Sequence, residues 1–187
     1  RDKELHLLQR CAKETSDHWT RSKHLDLLAS IYRDAGNYQV AHRYLDQART
    51  ELNVTEQLLL NDGYLSEIEG NYEMAIKHYT FARQMYSSRD AALNVADATL
   101  RFRGPQEAIA VVERALQENL DSWSLYGVAF ASFAKLDNMQ GFKHLCVKYP
   151  NWACNLELAE ALWNGARNKQ EALRLLQEHR QAYPQHA

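Results

Sequence analysis

The chain has 187 residues, of which 45% are hydrophobic and 25% are charged, and this composition excludes disordered and collagen-like classes. Its 22 basic and 24 acidic residues give a formal charge of −2 and are interleaved without a long run of either sign. Nucleic acids and anionic membranes are therefore not expected as partners, because both bind concentrated basic surfaces. No apolar run reaches the roughly 18 residues that cross a bilayer, so direct membrane insertion by this segment is not expected either.

The first predicted element is an amphipathic helix over residues 2–16. Its apolar residues recur at helical spacing and include Leu5, Leu8 and Ala12. A single helix stands here before the first complete repeat, and we interpret it as the second helix of a unit whose first helix lies upstream. Because the chain also begins at Arg1 without Met, we expect a fragment of a longer protein.

A repeat with a fixed period follows. Gly36, Gly70 and Gly104 stand 34 residues apart, and similar residues follow each: Gly-Asn-Tyr-Gln-Val-Ala, Gly-Asn-Tyr-Glu-Met-Ala and a shortened Gly-Pro-Gln-Glu-Ala. A period of this length indicates a solenoid. The chain has only 7 glycines and 3 prolines, which suits long helices with tight connections, so the predicted class is all-α.

The first two units, residues 22–55 and 56–89, predict two antiparallel helices each. Apolar or small residues stand at positions 4, 7, 8 and 11 before the glycine and at 20, 24 and 27 after it, which places them on one face of each helix. Small residues at positions 8, 20 and 27 are expected to let the helices approach closely. The glycine can end one helix in a left-handed conformation, and the following asparagine can cap the next.

The later units depart from this regularity. The third, 90–122, loses one residue in its turn, and the fourth, 123–152, has a short second helix that we predict over Met139–Lys148. Pro150 and Pro184 are again 34 residues apart, where each must end a helix. In the fifth unit, 153–187, the inner turn is expected to be remodelled around Asn168.

The combined pattern resembles the tetratricopeptide repeat, whose unit carries Trp-x2-Leu-Gly-x2-Tyr, then Gly-x-Tyr, Ala, an aromatic residue, Ala and a late Pro. Gly70, Tyr72 and Ala75 match it closely, and Trp123-Ser-Leu-Tyr-Gly matches its start. The resemblance covers nearly the whole chain with about five and a half repeats. It implies a single domain, a right-handed α-solenoid of about eleven helices, in which first helices line a concave surface.

The resemblance also implies a non-catalytic protein-protein interaction module. Such a module would hold a peptide or a partner helix in the concave groove, as an adaptor or an assembly or secretion factor. The alternative is that the same side chains form solvated helix faces. The predicted binding residues are Lys23, Asp26, Ser30, Arg33, Gln57, Asn61, Tyr64, Glu67, Asn94 and Arg101.

One subtype of the family binds a C-terminal carboxylate through a clamp of Lys, Asn and Arg side chains. Only Asn61 matches that clamp, and Asp26 stands where the clamp carries a lysine. Because Asp26 would repel a carboxylate, this ligand is not expected.

Two other functions remain open from the sequence. The segment can be a structural spacer that self-associates through its ends, or a regulatory domain of a larger enzyme or membrane transport or secretion protein. No catalytic residue, metal site or cofactor is expected, since the eight histidines form no HxxxH or HExxH motif.

The cysteines and aromatic residues are expected to be structural. Free thiols are expected, with a bridge between Cys146 and Cys154 as the alternative. Trp19 and Trp152 are assigned to connections between units, where they would pack or anchor a partner. Seven further aromatic residues are assigned to packing positions of the repeat: Tyr32, Tyr38, Tyr72, Tyr79, Trp123, Phe130 and Trp163.

Overall fold

Helices follow one another along the chain in a computed structural model that describes residues 2–51, 54–164 and 169–184. In the described part there are eleven, which confirms the predicted all-α fold and helix number. Their bounds are α1 (Asp2–Glu14), α2 (His18–Asp34), α3 (Tyr38–Glu51), α4 (Glu56–Ile68), α5 (Tyr72–Tyr86), α6 (Arg89–Phe102), α7 (Pro105–Gln117), α8 (Trp123–Lys135), α9 (Met139–Lys148), α10 (Trp152–Asn164) and α11 (Lys169–Ala182).

The turns between α2 and α3 and between α4 and α5 have the same backbone conformation. Gly36 has φ 76° and Gly70 has φ 78°, both in the left-handed region that favours glycine. Asn37 N donates to Tyr32 O at 2.8 Å, and Asn71 N donates to Ser66 O at 2.7 Å. The predicted role of the glycines is therefore confirmed. The predicted asparagine cap is wrong at Asn71, whose side chain makes no capping hydrogen bond.

The helix α2 begins one turn before the unit boundary drawn from the sequence. Asp17 caps it, because its carboxylate accepts a hydrogen bond from Thr20 N at 2.8 Å. Trp19 therefore lies in the first turn of α2, and Trp152 is the first residue of α10. Both corrections have one cause, because each helix starts after a polar residue outside the repeat pattern: at α10, Asn151 Oδ1 accepts a hydrogen bond from Ala153 N at 2.9 Å.

Small residues bring paired helices together, as predicted. The alanines and glycine at positions 8, 20 and 27 are all buried: Ala29, Ala41, Ala48, Gly63, Ala75 and Ala82. At Gly63 a Cβ atom would overlap the ring of Tyr79 on α5. The α4 and α5 backbones can approach this closely only because Gly63 has no side chain.

The chain divides into two compact units, residues 1–91 and 92–187. The core of the first unit includes Leu28 and Leu45, both at 0% exposure, and the core of the second includes Leu125 and Phe142, also at 0%. The assignment of one domain and the repeat boundaries stay predictions.

The irregular region of the second unit contains the short helix predicted from the sequence. α9 spans Met139–Lys148, which confirms its bounds. Cys146 on α9 and Cys154 on α10 form a disulfide, with Cα atoms 5.8 Å apart. The alternative reading of the cysteines is therefore observed and the expected free thiols are wrong here, while Cys11 is free. The turn expected around Asn168 lies outside the described residues.

Candidate functional site

A subset of the predicted binding residues of the first two repeats meets between the neighbouring helices α2 and α4. Asn61 on α4 is 5% exposed, and its two amide atoms both bond to α2. Its Nδ2 donates to the carboxylate of Asp26 at 2.6 Å, and its Oδ1 accepts from the guanidinium of Arg33 at 2.9 Å. We call these three residues the α2–α4 polar cluster. The cluster favours one alignment of α2 along α4, because both hydrogen bonds of Asn61 form only when the two helices are placed in this way.

Arg33 is held by two further contacts. Its guanidinium bonds to the carboxylate of Asp34 at 2.9 Å and lies 4.7 Å from the ring centre of Tyr64. The Arg33 side chain is only 16% exposed, whereas Tyr64 is 48% exposed. An immobilised cation stacked on an exposed aromatic ring is therefore presented on this face.

Asp26 lies half-buried on the same face. Burial raises the pKa of its carboxyl, and the hydrogen bond from Asn61 and the charge of Arg33 offset only part of that rise. The hydroxyl of Ser30 donates a hydrogen bond to the backbone carbonyl of Asp26 at 3.2 Å, one turn earlier in the same helix.

The same face continues toward the start of α2. The ammonium of Lys23 lies 3.5 Å from the ring centre of Trp19, which is 55% exposed. Spacings of four, three, four and three residues put five side chains on one stripe of the helix, which we call the α2 stripe: Trp19, Lys23, Asp26, Ser30 and Arg33. The sequence prediction missed Trp19 because it assigned the residue to a connection, although its spacing from Lys23 and Asp26 already indicates the same helical face.

The remaining predicted residues are not part of the polar cluster. Gln57 is exposed and Glu67 is half-buried, both on α4. Asn94 and Arg101 lie on α6 within the second unit, where Arg101 pairs with Asp97 at 2.9 Å. The structure thus brings together one subset of the predicted site, centred on Asn61.

Two histidines of the described part contact side chains of other helices. His42 pairs with Glu69 at 2.8 Å. His179 is buried, with its ring centre 6.2 Å from that of Trp152. Trp152 therefore packs against α11 from the first turn of α10, and not under a loop between units. Across residues 2–51, 54–164 and 169–184, no group of three or more His, Cys, Asp or Glu side chains is arranged to hold a metal ion.

The aromatic predictions have two exceptions. Tyr72, the first residue of α5, is 40% exposed, so its assignment to a packing position is wrong. Tyr79 is buried, and Phe130 packs edge-on against Phe142 with ring centres 5.4 Å apart. Trp123 is 61% exposed, so its assignment to a packing position is wrong: it stands at the first position of α8, where its side chain faces water. The side chain of Trp163 lies outside the described part.

No described helix has the length and apolar content needed to cross a membrane.

Two solved structures resemble most of the chain. The first, from a functional characterisation of Pseudomonas aeruginosa pilF, has a TM-score of 0.59 and 15% identity, over 98% of this chain and 92% of that one. The second, TTC0263, a thermophilic TPR protein of Thermus thermophilus, has a TM-score of 0.54 and 16% identity, over 87% of this chain and 92% of that one. No protein-family model matches the sequence, and no curated protein matches it.

At these identities the likeness concerns the fold. The chain has the tetratricopeptide-repeat fold, an α-solenoid built from successive helix pairs. Folds of this kind generally build extended surfaces on which other proteins bind.

Proposed function

We propose that the chain is a non-catalytic interaction scaffold that binds an extended peptide of a partner protein along the α2 stripe and Tyr64. The observation that carries this proposal is the anchored Arg33, whose guanidinium is fixed by Asn61 and Asp34 under an exposed aromatic ring. A side chain that is already ordered loses little conformational entropy when a partner binds, so more of its contact energy appears as affinity.

The dimensions and chemistry of the stripe suit an extended peptide. From Trp19 to Arg33 the helix rises by about 21 Å, which matches about six residues of extended chain. Tyr64 and Trp19 offer apolar contact area at the two ends, and Arg33 and Lys23 offer donors to backbone carbonyl oxygens. Asn61 is a positioning residue in this scheme, because both of its amide atoms are already bonded to α2.

A random peptide library displayed on phage, selected on the protein as printed, tests the proposal. We expect the selected peptides to lose about tenfold in affinity with Tyr64→Ala, since exposed aromatic anchors carry much of the energy of such interfaces. Arg33→Lys keeps the charge but loses the planar fork, and we expect a similar loss. Fluorescence anisotropy measures both effects.

Matched controls separate binding from folding. Phe81→Ala removes another exposed aromatic ring, on α5, and Arg43→Ala removes an exposed arginine on α3; neither should change affinity. Tyr64→Phe keeps the ring and should retain binding, and circular dichroism should give equal helix content for all variants. The proposal is wrong if selected peptides bind Tyr64→Ala and Arg33→Lys as tightly as the parent, or if selection yields no binding peptide. Arg101→Ala tests the predicted contribution of Arg101 to peptide binding.

A further inference from the structure

The disulfide between Cys146 and Cys154 lies in the wall of an open cleft within the second unit. The cleft has a volume of about 330 Å³ and is lined by residues of α9, α10, α11 and the segment that joins α9 to α10. Its polar lining includes Lys143 and Arg174, and Val147, the residue next to Cys146, is 81% exposed. A cleft of this volume is at the lower end of the range that small molecules occupy in proteins.

The two cysteines of the bridge differ in exposure. Cys154 on α10 is 4% exposed and belongs to the core of the second unit, whereas Cys146 on α9 is only partly buried and packs against that core. A thiolate that opens a disulfide must reach one of its two sulfur atoms, and the rate of exchange depends on that access. Cys146 therefore offers the reachable sulfur, and Cys154 provides the buried leaving group.

We propose that Cys146 is a thiol-exchange site, at which a low-molecular-weight thiol opens the bridge reversibly. In the first step the thiolate of the small molecule bonds to Cys146 Sγ, the bond between the two Sγ atoms breaks, and its electron pair leaves on Cys154, which takes a proton from water. A second small thiolate then attacks the sulfur of the first and releases Cys146 as a thiol. The protein gains two electrons and two protons, and the two small thiols leave as their own disulfide.

The position of Cys154 makes the first step reversible. The Cα atoms of the two cysteines are 5.8 Å apart, and their helices are packed together through buried residues that include Phe142 and Leu158. The sulfur of Cys154 thus stays beside the mixed disulfide, and an attacking group held beside its target reacts as if it were highly concentrated. Cys154 closes the bridge again unless a second small thiol arrives first.

Opening the bridge removes the covalent link between α9 and α10 and leaves their apolar packing in place. The supply of small thiols would thereby shift this helix pair between a linked and an unlinked form. The site uses residues of the second unit alone, so it does not depend on the function proposed for the α2 stripe.

The first experiment treats the folded protein with reduced glutathione. Cys11→Ser provides the background, because it leaves the two bridge cysteines as the only sulfur atoms that can exchange. We expect the bridge to open without urea, and acid quenching with peptide mapping should locate glutathione on Cys146. Neither bridge cysteine is substituted here, so the result does not depend on how well such variants fold.

Two single-thiol variants then compare access to the two sulfur atoms. In the same background, Cys154→Ser leaves Cys146 as the free thiol, and Cys146→Ser leaves Cys154. Oxidised glutathione should modify the first variant at least about tenfold faster than the second, because buried thiols are inert. Intact-mass spectrometry measures both rates, and circular dichroism checks that both variants retain the parent's helix content. The same reaction in urea is the control, since unfolding exposes both thiols and the two rates should converge.

Three results would overturn the inference. The first is a bridge that stays closed in the folded protein and opens only in urea, which would make it a purely structural link. The second is glutathione located on Cys154 in the quenched protein. The third is an equal or faster reaction of Cys146→Ser than of Cys154→Ser in the folded state, which would show that burial does not select the attacked sulfur.

Discussion

Both units have an apolar core, and they differ in the contacts that supplement it. In the first unit, buried polar side chains join neighbouring repeats: Asn61 bonds to Asp26 and Arg33, and the buried carboxylate of Asp62 pairs with Arg49. In the second unit, one continuous apolar cluster extends from α6 to α11. The helices α9 and α10 are also joined covalently.

The turns also differ. Gly36 and Gly70 supply the left-handed residues of the two regular turns in the first unit, where Ser87 also has φ 49°. The second unit has a positive φ at Gly104 but also at Asn119 and Asp137, whose φ values are 58° and 51° and where glycine would cost less. The comparison indicates that directional polar contacts specify the regular repeats. Where turns deviate, tight apolar packing and a disulfide hold the helices. The following predictions test this difference, from the largest expected effect to the smallest.

Loss of one aromatic ring should destabilise the second unit most. Phe142 is fully buried and contacts Phe130 and Phe133, with ring centres 5.4 Å and 6.3 Å away. Phe142→Ala should lower the free energy of unfolding by about 3–5 kcal/mol, because it leaves a cavity. Urea denaturation followed by circular dichroism measures this. Phe81→Ala, at a ring that is 46% exposed in the first unit, should cost less than about 1 kcal/mol. Similar costs for the two variants would contradict the apolar role assigned to the second core.

Reduction of the disulfide should have the next largest effect. The bridge joins residues separated by 8 positions, and its loss should lower the free energy of unfolding by about 2.5 kcal/mol through the greater entropy of the unfolded chain. Denaturation with and without dithiothreitol measures the change. A Cys146→Ser, Cys154→Ser double variant should respond no further to the reductant, and Cys11→Ser should respond like the parent. A parent protein that is indifferent to reduction would show that packing alone holds this turn.

A pair of glycines compares helix approach in the two units. Gly63→Ala should destabilise the first unit by about 1–2 kcal/mol, because the new methyl group overlaps the Tyr79 ring and this outweighs its helix propensity. Gly127→Ala on α8 is the matched substitution, where the nearest atom is Glu157 Oε1 at 3.5 Å, an ordinary contact. It should be neutral or stabilise by up to about 1 kcal/mol. Thermal and urea denaturation measure the stability of both variants. Equal effects would contradict the prediction that the helices are packed more closely at Gly63 than at Gly127.

The smallest expected effect is a pH dependence in the polar cluster. Burial raises the pKa of the Asp26 carboxyl above its unfolded value, so its contribution to stability is present below the unfolded pKa and is lost as pH rises through the folded one. Asp26→Asn should therefore stabilise the protein at pH 7, by less than about 1 kcal/mol after solvent screening, with no gain near pH 3. Urea denaturation at both pH values measures the difference.

Glu157→Gln provides the counterpart in the second unit. Burial, with a smaller contribution from the charge of Glu160, raises the pKa of Glu157 as well, so the sign should be the same. A gain in stability for Asp26→Asn that grows as pH falls would contradict the direction of the shift.

Much of the fold could be predicted because its signals are local. The glycines one period apart, the apolar positions of each helix and the two prolines depend on backbone conformation and side-chain spacing, which the sequence displays directly. The bounds of α9 were predicted for this reason. The start of α2 was not, because Asp17 acts through its own capping bond and lies outside the repeat pattern.

The site required the folded chain. Asn61 and Tyr64 are three residues apart on α4 and both were predicted to bind a partner, yet one is buried and the other is half-exposed. Asn61 is buried because it bonds to Asp26 and Arg33 on α2. These partners lie 35 and 28 residues before it, so the spacing of residues along α4 does not reveal them.

The sequence by itself determined the all-α class, the 34-residue period and the residues that face each helix pair, because these follow from periodicity along one segment. Only the tertiary structure decided that Asn61 is a buried link, that Cys146 meets Cys154 and that Leu27 remains uncovered. Each of these outcomes depends on a neighbour that lies on another helix, and exposure and bonding are set by which helices pack together rather than by the pattern within any one of them.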